Sequence, residues 1–288
     1  MRPAKIVVGT DGSPSGTSAV RWAAGAAERE GRPLEIVVAY HWQVPGRWYG
    51  SVSDVMAAAD ERAGAIGTAA TAEAQAAAPH VEVTTSLLLG DPAPVLLRAA
   101  GGASLLVVGN RGRGGFSGLL LGSVGVHVAT HARCPVTVVR GRAENPFGPV
   151  VVGVDGSGTA DVAVGLAFEQ AAERDCPLHA ITAHAQPLPP SPIGLPPLTY
   201  EPDRVRQELR RHLVQQLTDW CAKYPDVAAD GEVVAGGPGA ALVDRSRNAQ
   251  LVVVGARGHG GFSGLLLGSV GLHLLHHAGC PVLVARTR

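Results

Sequence analysis

The sequence predicts an α/β protein built from two tandem doubly wound domains. Each domain is expected to hold a five-stranded parallel sheet in the order 3-2-1-4-5, with helices on both faces. Three observations support this: an internal repeat, an alternation of short apolar runs with helical segments, and glycine-rich turns directly after two of the apolar runs.

The internal repeat divides the chain into two halves. Residues 114–125 recur letter for letter at 260–271, an offset of 146. Residues 7–13 correspond to 151–157 at an offset of 144, so the loops differ slightly between the copies while the strand ends agree. A chain of 288 residues is a natural length for two domains at roughly 100–200 residues each. A Gly/Pro/Asn stretch at 141–149 marks the linker, and we expect domains over 1–144 and 145–288.

The order of the elements in the first copy predicts the topology. We expect strands at 5–10, 34–40, 81–89, 105–109 and 136–140, and helices at 15–30, 54–78, 92–100 and 123–131. Right-handed crossovers between parallel strands bring the ends of the first and fourth strands together at the switch point of the sheet. The last strands, 136–140 and 282–286, are edge strands, and we expect them to pair antiparallel as an intrachain pseudo-dimer.

Composition excludes several classes of function. The formal net charge is zero and aromatic residues make up 4% of the chain, so neither a basic field nor stacking platforms favour nucleic acid. No apolar run is long enough for a secretory signal or a membrane span. Four cysteines without C-x-x-C spacing indicate free thiols, and a cytoplasmic protein is expected.

A spaced-glycine motif follows the fourth strand of each copy. It reads Gly109-x2-Gly112-x9-Gly122-Ser123, and the second copy repeats it from Gly255 through Gly258. Such glycines let backbone N–H groups approach phosphate oxygens, and we expect positive φ in this loop. The helix that opens at Gly122 offers its free N–H groups and positive dipole end. Phe116 and residues 119–121 are expected to anchor the loop.

These residues resemble the nucleotide-binding signature of the universal stress protein family, in its tandem ATP-binding form. The resemblance covers nearly the whole chain and implies ATP as ligand and pairing through the last strand. An unidentified regulatory protein partner and a homodimer of the whole chain are further expectations. It implies that Asp11 and Asp155 hold a ribose hydroxyl or Mg²⁺, and that the backbone of Ala39 and Ala183 reads adenine. The predicted contacts in the first copy are Gly9, Thr10, Asp11, Gly12, Ser13, Ala39, Gly109, Arg111, Gly112, Gly122, Ser123 and Val124. Those in the second copy are Gly153, Val154, Asp155, Gly156, Ser157, Ala183, Gly255, Arg257, Gly258, Gly268, Ser269 and Val270.

Several alternatives stay open at this point. Asp11 could instead cap the first helix or form an Asx-turn. A binding module is favoured over a slow ATPase or a phosphate- or nucleotide-transferring enzyme, because hydrolysis needs a placed base. The only lysines, Lys5 and Lys223, lie far from any glycine loop, which excludes a Walker-type NTPase. Positive signals for a flavin module or a serine hydrolase are lacking.

Other side chains receive structural interpretations. The pairs His127/His131 and His273/His277 have the spacing of metal ligands, but a packing or interface role is favoured. Cys134 and Cys280 are expected to be buried core thiols. Trp42, Trp48 and Tyr49 either cover the base or staple a long loop, whereas residues 187–197 form a proline-rich stretch at the same place in the second copy.

Overall fold

The structure is a computed structural model that describes residues 4–42, 51–113, 121–143, 145–184, 202–258 and 266–286. The strands are β1 Ile6–Gly9, β2 Leu34–Tyr40, β3 Val83–Leu89, β4 Leu105–Gly109, β5 Val136–Val139, β6 Val150–Gly153, β7 Leu178–His184, β8 Ala229–Ala235, β9 Leu251–Gly255 and β10 Val282–Ala285. The helices are α1 Pro14–Glu30, α2 Val52–Ala77, α3 Pro92–Ala99, α4 Ser123–His131, α5 Gly158–Glu173, α6 Pro202–Lys223, α7 Pro238–Ser246 and α8 Ser269–His277.

All ten strands form one sheet in the order β3-β2-β1-β4-β5-β10-β9-β6-β7-β8. Each half therefore has the predicted order 3-2-1-4-5, and all pairs within a half are parallel. The two halves meet where β5 and β10 pair antiparallel, with Thr137 opposite Leu283. The predicted pairing of the two edge strands is confirmed, and it makes the sheet continuous through the chain.

Two hydrophobic layers cover the sheet. One joins α1 and α2 with α5 and α6, and Phe168 and Leu213 are almost fully buried in it. The other joins α3 and α4 with α7 and α8. The central strands read as continuous apolar runs because both of their faces are covered. Helices on both faces, as predicted, leave the carboxyl ends of the strands accessible for a site.

Two arginines cross the junction between the copies. Arg286, just after β10, donates from Nη2 to the carbonyl oxygens of Ala129 and Thr130 at the end of α4, at 2.8 Å to Thr130. Arg140, just after β5, donates from Nη1 to the carbonyls of Leu274 and Leu275 in α8, at 3.1 Å to Leu274. Each last strand thus carries a guanidinium that satisfies the open carbonyls of the other copy's helix. In the described ranges, no helix has the length and apolarity needed to cross a membrane.

Candidate functional site

The turn after β1 is shaped by its own side chains. Gly12 adopts a positive φ of 73°, which glycine tolerates without a steric penalty. Ser13 is the N-cap of α1, and its Oγ accepts a hydrogen bond from the Gly16 amide at 3.1 Å. Asp11 Oδ1 accepts from the Ser13 amide at 3.0 Å. Asp11 therefore forms the Asx-turn that the sequence left open, while Ser13 rather than Asp11 caps the helix.

The second oxygen of the Asp11 carboxylate joins this turn to the loop after β4. Asp11 Oδ2 accepts a hydrogen bond of 2.6 Å from the backbone amide of Arg113. Gly112 directly precedes Arg113, and a Cβ added to Gly112 would stand 2.7 Å from Asp11 Oδ2. The expectation of positive φ in this loop is wrong for the described glycines of the motif, Gly109, Gly112 and Gly122, because none of them has it. Gly112 is needed here for close approach to a carboxylate.

A further set of contacts fixes the base of the loop. Ser15 Oγ donates to Asn110 Oδ1 at 2.8 Å and accepts from the Arg111 amide at 3.2 Å. A Cβ on Gly109 would lie 2.6 Å from the Ser15 carbonyl oxygen. The helix α1 can therefore pack this closely against β4 only because Gly109 has no side chain. Ser15 and Asn110 were not among the residues predicted from the sequence. The sequence feature that could have identified them is a hydroxyl and a side-chain amide that follow β1 and β4, two strands that lie side by side in the sheet.

The two loops border a cavity of about 570 Å³ at the carboxyl ends of β1, β2 and β4. Ten of the twelve residues predicted for this copy line it: Gly9, Thr10, Asp11, Ala39, Gly109, Arg111, Gly112, Gly122, Ser123 and Val124. The other two, Gly12 and Ser13, lie in the turn directly behind Asp11. The cavity is also lined by residues that were not predicted as site residues, among them Val37, His41, Leu96, Asn110, Arg113 and Leu121.

The helix α4 points its first turn at this cavity. Gly122 is its N-cap, without a side-chain cap, and the Gly122 amide donates to the Asn110 carbonyl at 2.7 Å. Ser123, Val124 and Gly125 follow as the opening residues and line the cavity. The first amides of a helix have no partner within it, so this end presents N–H donors and a positive dipole end. Leu121 is buried as an anchor, whereas Phe116, Leu119 and Leu120 lie outside the described residues.

The second copy repeats the arrangement with substitutions. Asp155 Oδ1 accepts from the Ser157 amide at 3.0 Å and from its hydroxyl at 2.6 Å, and Gly156 has a φ of 80°. An added Cβ on Gly258 would collide with Asp155 Oδ2. The remaining predicted residues of this copy lie at the ends of β6, β7 and β9 and around the start of α8: Gly153, Val154, Ala183, Gly255, Arg257, Gly268, Ser269 and Val270.

The two copies differ at the base of the glycine loop. Ala256 stands where the first copy has Asn110, and Val154 stands where it has Thr10. Thr159 replaces Ser15 and donates from Oγ1 to the Arg257 carbonyl instead of binding a side-chain amide. The backbone hydrogen bond is kept, since the Gly268 amide donates to the Ala256 carbonyl at 2.8 Å. The two loops are therefore held by different side chains around a common backbone.

His127, His131, His273 and His277 are exposed on α4 and α8, so their packing or interface role stays a prediction, whereas the predicted burial of Cys134 and Cys280 is confirmed. The rings of His127 and His131 stack at 4.3 Å on α4, and no group of three potential metal ligands occurs within the part of the chain that the structure describes. Cys280 is fully buried and burial raises the pKa of its thiol to about 12; Cys134 is also buried. Trp42 is half-buried after β2, while Trp48, Tyr49 and residues 187–197 lie outside the described ranges.

Comparison with known proteins bears on the origin of this arrangement. The model of the universal stress protein family matches residues 4–140 and 146–286. The chain belongs to the universal stress protein family.

Relatives within the family span the whole chain. Universal stress protein Rv2005c of Mycobacterium tuberculosis is 35% identical over 291 residues, covering 98% of this chain and 96% of its own. Universal stress protein Rv2623 of the same organism is 34% identical at the same two coverages. A solved universal stress protein from Archaeoglobus fulgidus has a TM-score of 0.70 at 20% identity, covering 99% of this chain and 97% of that one, which supports the fold. The tandem arrangement is thus shared with full-length universal stress proteins.

Proposed function

We propose that the protein is an ATP-binding regulatory module of the cytoplasm, with one nucleotide site in each copy. ATP occupancy would alter its shape or its choice of a regulatory protein partner under stress. The observation that carries the proposal is the first cavity, where the Asp11 turn, the loop at Gly112 and the start of α4 meet. Its volume of about 570 Å³ falls in the usual range of small-molecule and cofactor sites.

The phosphates are assigned to the glycine-loop end of the cavity. The opening amides at Ser123 and Val124 provide hydrogen-bond donors and the positive end of the α4 dipole, an arrangement that favours anions. The exposed Arg111 and Arg113 also line this end, and they offer positive charge for a triphosphate. Gly122 leaves the backbone bare where the phosphate oxygens would approach.

The base is assigned to the end of β2. Val37 and Leu96 supply apolar walls, and Ala39 offers backbone groups at the rim. An apolar slot with a few polar groups along one edge suits a flat heterocycle. His41 lines the same end and can stack on the base or donate to it.

Magnesium is assigned to Asp11 and Asp155. Mg²⁺ is commonly held by one or two carboxylates together with substrate phosphates and waters, so a single aspartate per site fits this mode. Both Asp11 oxygens already accept one amide hydrogen bond each, which leaves the remaining lone pairs of the carboxylate for a cation or a ribose hydroxyl.

An ATPase or a phosphate- or nucleotide-transferring enzyme on the same sites is the alternative. Proton abstraction from water needs a base with freedom to act. Among the described lining residues, Asp11 is tied to two backbone amides and His41 lies at the opposite end from the glycine loop. The contacts therefore favour binding, with slow turnover at most.

The direct test is to identify the nucleotide released when the freshly purified protein is denatured. Mass spectrometry is expected to find ATP, and an apo sample is expected to rebind it. A bound flavin, or an apo protein that fails to bind ATP, would refute the proposal.

The role of Asp11 is tested by Asp11→Asn, with Asp155→Asn as its counterpart. The change keeps the side-chain size, removes the charge, and places an amide N–H opposite the Arg113 amide that the carboxylate now accepts from. We expect affinity for Mg·ATP at that copy to fall about tenfold, the loss of one charge-assisted contact. Asp91→Asn is the matched control, because Asp91 is exposed and makes no cap hydrogen bond. A sharp fall in ligand-free stability with unchanged affinity would assign Asp11 to turn formation alone.

A further inference from the structure

A second cavity, of about 500 Å³, lies where the two copies meet. The C-terminal half of α1 forms one wall, the end of α5 and the residue after it form another, and the linker closes the third side. Its principal lining residues are Arg21, Trp22, Arg29, Asn145, Glu173 and Arg174. The 17 residues of α1 rise about 25 Å, and their other end begins at the nucleotide cavity. The junction cavity is therefore a separate place on the molecule.

Arg174 has unused donor capacity at this cavity. Its Nη1 donates to Gln170 Oε1 at 2.6 Å, and its guanidinium lies 5.5 Å from the centre of the Trp22 ring. Its Nη2 is shielded from solvent and has no hydrogen-bond partner within the described part of the chain. A buried guanidinium donor without an acceptor is unfavourable, and Arg174 Nη2 is such a donor at the wall of this cavity.

Basic side chains outnumber acidic ones among the described residues that line the cavity. Arg21 is engaged by Glu73 at 2.7 Å, and Glu30 is engaged by Arg32 at 2.9 Å. Glu173 is the one carboxylate among the described lining residues, and its charge acts on Arg29 and Arg174, as does that of the neighbouring Glu30. Burial, with the neighbouring Glu30 charge, raises the pKa of Glu173 to about 7, and burial with the Arg29 charge lowers the pKa of Arg174 to about 10.

These shifts have one cause in common. Burial is the largest cause of both: Arg174 and Glu173 lie in poorly solvated surroundings, whereas Arg29 beside them is exposed. An added negative charge would relieve the repulsion between the guanidinium groups and offset their desolvation.

We infer that the junction cavity binds a small anionic ligand that carries a phosphate or carboxylate group. Arg174 Nη2 and the Arg29 guanidinium, at the more exposed side of the cavity, would hold the anion, since a planar guanidinium suits both groups. The cavity has room for a body larger than the anion itself, and Trp22 offers it an apolar surface. Because α1 belongs to the first copy and Arg174 to the second, the ligand would bridge the two domains.

Binding is expected to strengthen as the pH falls from 8 to 6. Protonation of Glu173 removes the carboxylate that competes for the guanidinium groups. The charged groups that face Glu173 are Arg29 and Glu30 from α1, and Glu169 and Arg174 from its own element. With a ligand anion bound nearby, Glu173 would bind its proton more tightly still, so proton uptake would accompany binding.

The test uses the full-length protein with ¹⁵N-labelled indole groups. Inorganic phosphate and succinate are titrated separately at constant ionic strength, and the Trp22 indole signal is assigned from a Trp22→Phe sample. We expect the chemical shift of that signal to change and to saturate with at least one of the two anions. Comparing the two titrations shows whether the cavity binds a phosphate or a carboxylate group. Arg29→Gln and Arg174→Gln should each weaken the binding about tenfold or more, whereas the exposed Arg98→Gln should leave it unchanged.

Two controls keep the result unambiguous. The Gly112→Ala variant must retain the Trp22 response, which separates this cavity from phosphate bound at the nucleotide cavity. Circular dichroism verifies the fold, and if Arg174→Gln fails to fold, the more exposed Arg29→Gln carries the test. No saturation with either anion, or the same affinity in Arg29→Gln as in the unaltered protein, would overturn the inference.

Discussion

At the scale of single residues, the site depends on how closely a carboxylate approaches a bare backbone. Asp11 joins the turn after β1 to the loop after β4 with one oxygen on each. That bridge spans 102 positions of sequence and is possible because Gly112 has no side chain. Asp155 and Gly258 repeat the close approach in the second copy.

A methyl group at Gly112 or Gly258 is therefore expected to break this bridge. In Gly112→Ala the new Cβ would stand 2.7 Å from Asp11 Oδ2, so the loop or the carboxylate must move. We expect ATP binding to be lost at the altered copy and kept at the other, with circular dichroism unchanged. Gly64→Ala is the matched control, because nothing lies within 4 Å of its added Cβ. Unchanged calorimetric affinity in both loop variants would show that the loops are structural only.

The Glu173 carboxyl is expected to make the stability of the protein depend on pH. Its folded-state pKa of about 7 lies above the ordinary carboxyl value, so the native protein binds the proton more tightly than the unfolded chain. Its contribution to stability is present below the ordinary carboxyl pKa and is lost as the pH rises through about 7. Glu173→Gln should therefore unfold at higher denaturant than the parent at pH 8, and the difference should shrink towards pH 5. A difference that does not change with pH would contradict this assignment.

Only part of this residue-level detail could be predicted from the sequence. The repeated glycine spacing located the loops, and ten of the twelve residues named for the first copy line its cavity. The bond from the Arg113 amide to Asp11 and the pairing of Ser15 with Asn110 could not be predicted. Both depend on the distance between two loops far apart in sequence, which periodicity and motif spacing do not contain.

At the scale of elements, α4 and α8 are each tied at both ends. Each begins at a glycine loop and ends against an arginine of the other copy, Arg286 for α4 and Arg140 for α8. A guanidinium at a helix C-terminus is favoured both by the open carbonyls and by the dipole. The helix that opens at one candidate nucleotide site is thus stabilised by the neighbouring copy.

Removing one of these caps should destabilise the protein measurably. Arg286→Met keeps the length of the side chain but leaves the Ala129 and Thr130 carbonyls without their donor. We expect the free energy of unfolding to fall by about 2 kcal/mol, the usual cost of losing charged hydrogen bonds. Arg140→Met should cost about the same amount, and Arg98→Met, on an exposed helix face, should cost little. Equal denaturant midpoints for Arg286→Met and Arg98→Met would show that the caps carry no stability.

The elements themselves were predictable because short apolar runs alternate with helical segments, and the central strands among them are buried on both faces. Deviations are confined to the ends: α2 begins at Val52 rather than 54, and β3 begins at Val83 rather than 81. Helix and strand ends are set by local hydrogen bonds, such as the cap of α2 by Ser51, which composition specifies weakly.

At the scale of the whole molecule, the duplication solves the problem of exposed sheet edges at the centre. Each copy alone would present β5 or β10 as a bare apolar edge. Pairing them antiparallel produces one ten-stranded sheet and places the two candidate nucleotide sites in a pseudo-symmetric relation. The repeat in the sequence was sufficient to predict this junction, but the crossing arginines and the cavity beside the linker emerge only from the folded chain.

The central claim, one ATP site in each copy, is tested most directly by calorimetric titration of the nucleotide-free protein with Mg·ATP. We expect two ATP molecules to bind per chain. The two sites need not bind ATP with equal affinity, because Asn110 and Ser15 of the first copy are replaced by Ala256 and Thr159 in the second. Gly112→Ala and Gly258→Ala should each reduce the count to one. No measurable ATP binding, or a count that both variants leave unchanged, would contradict the account.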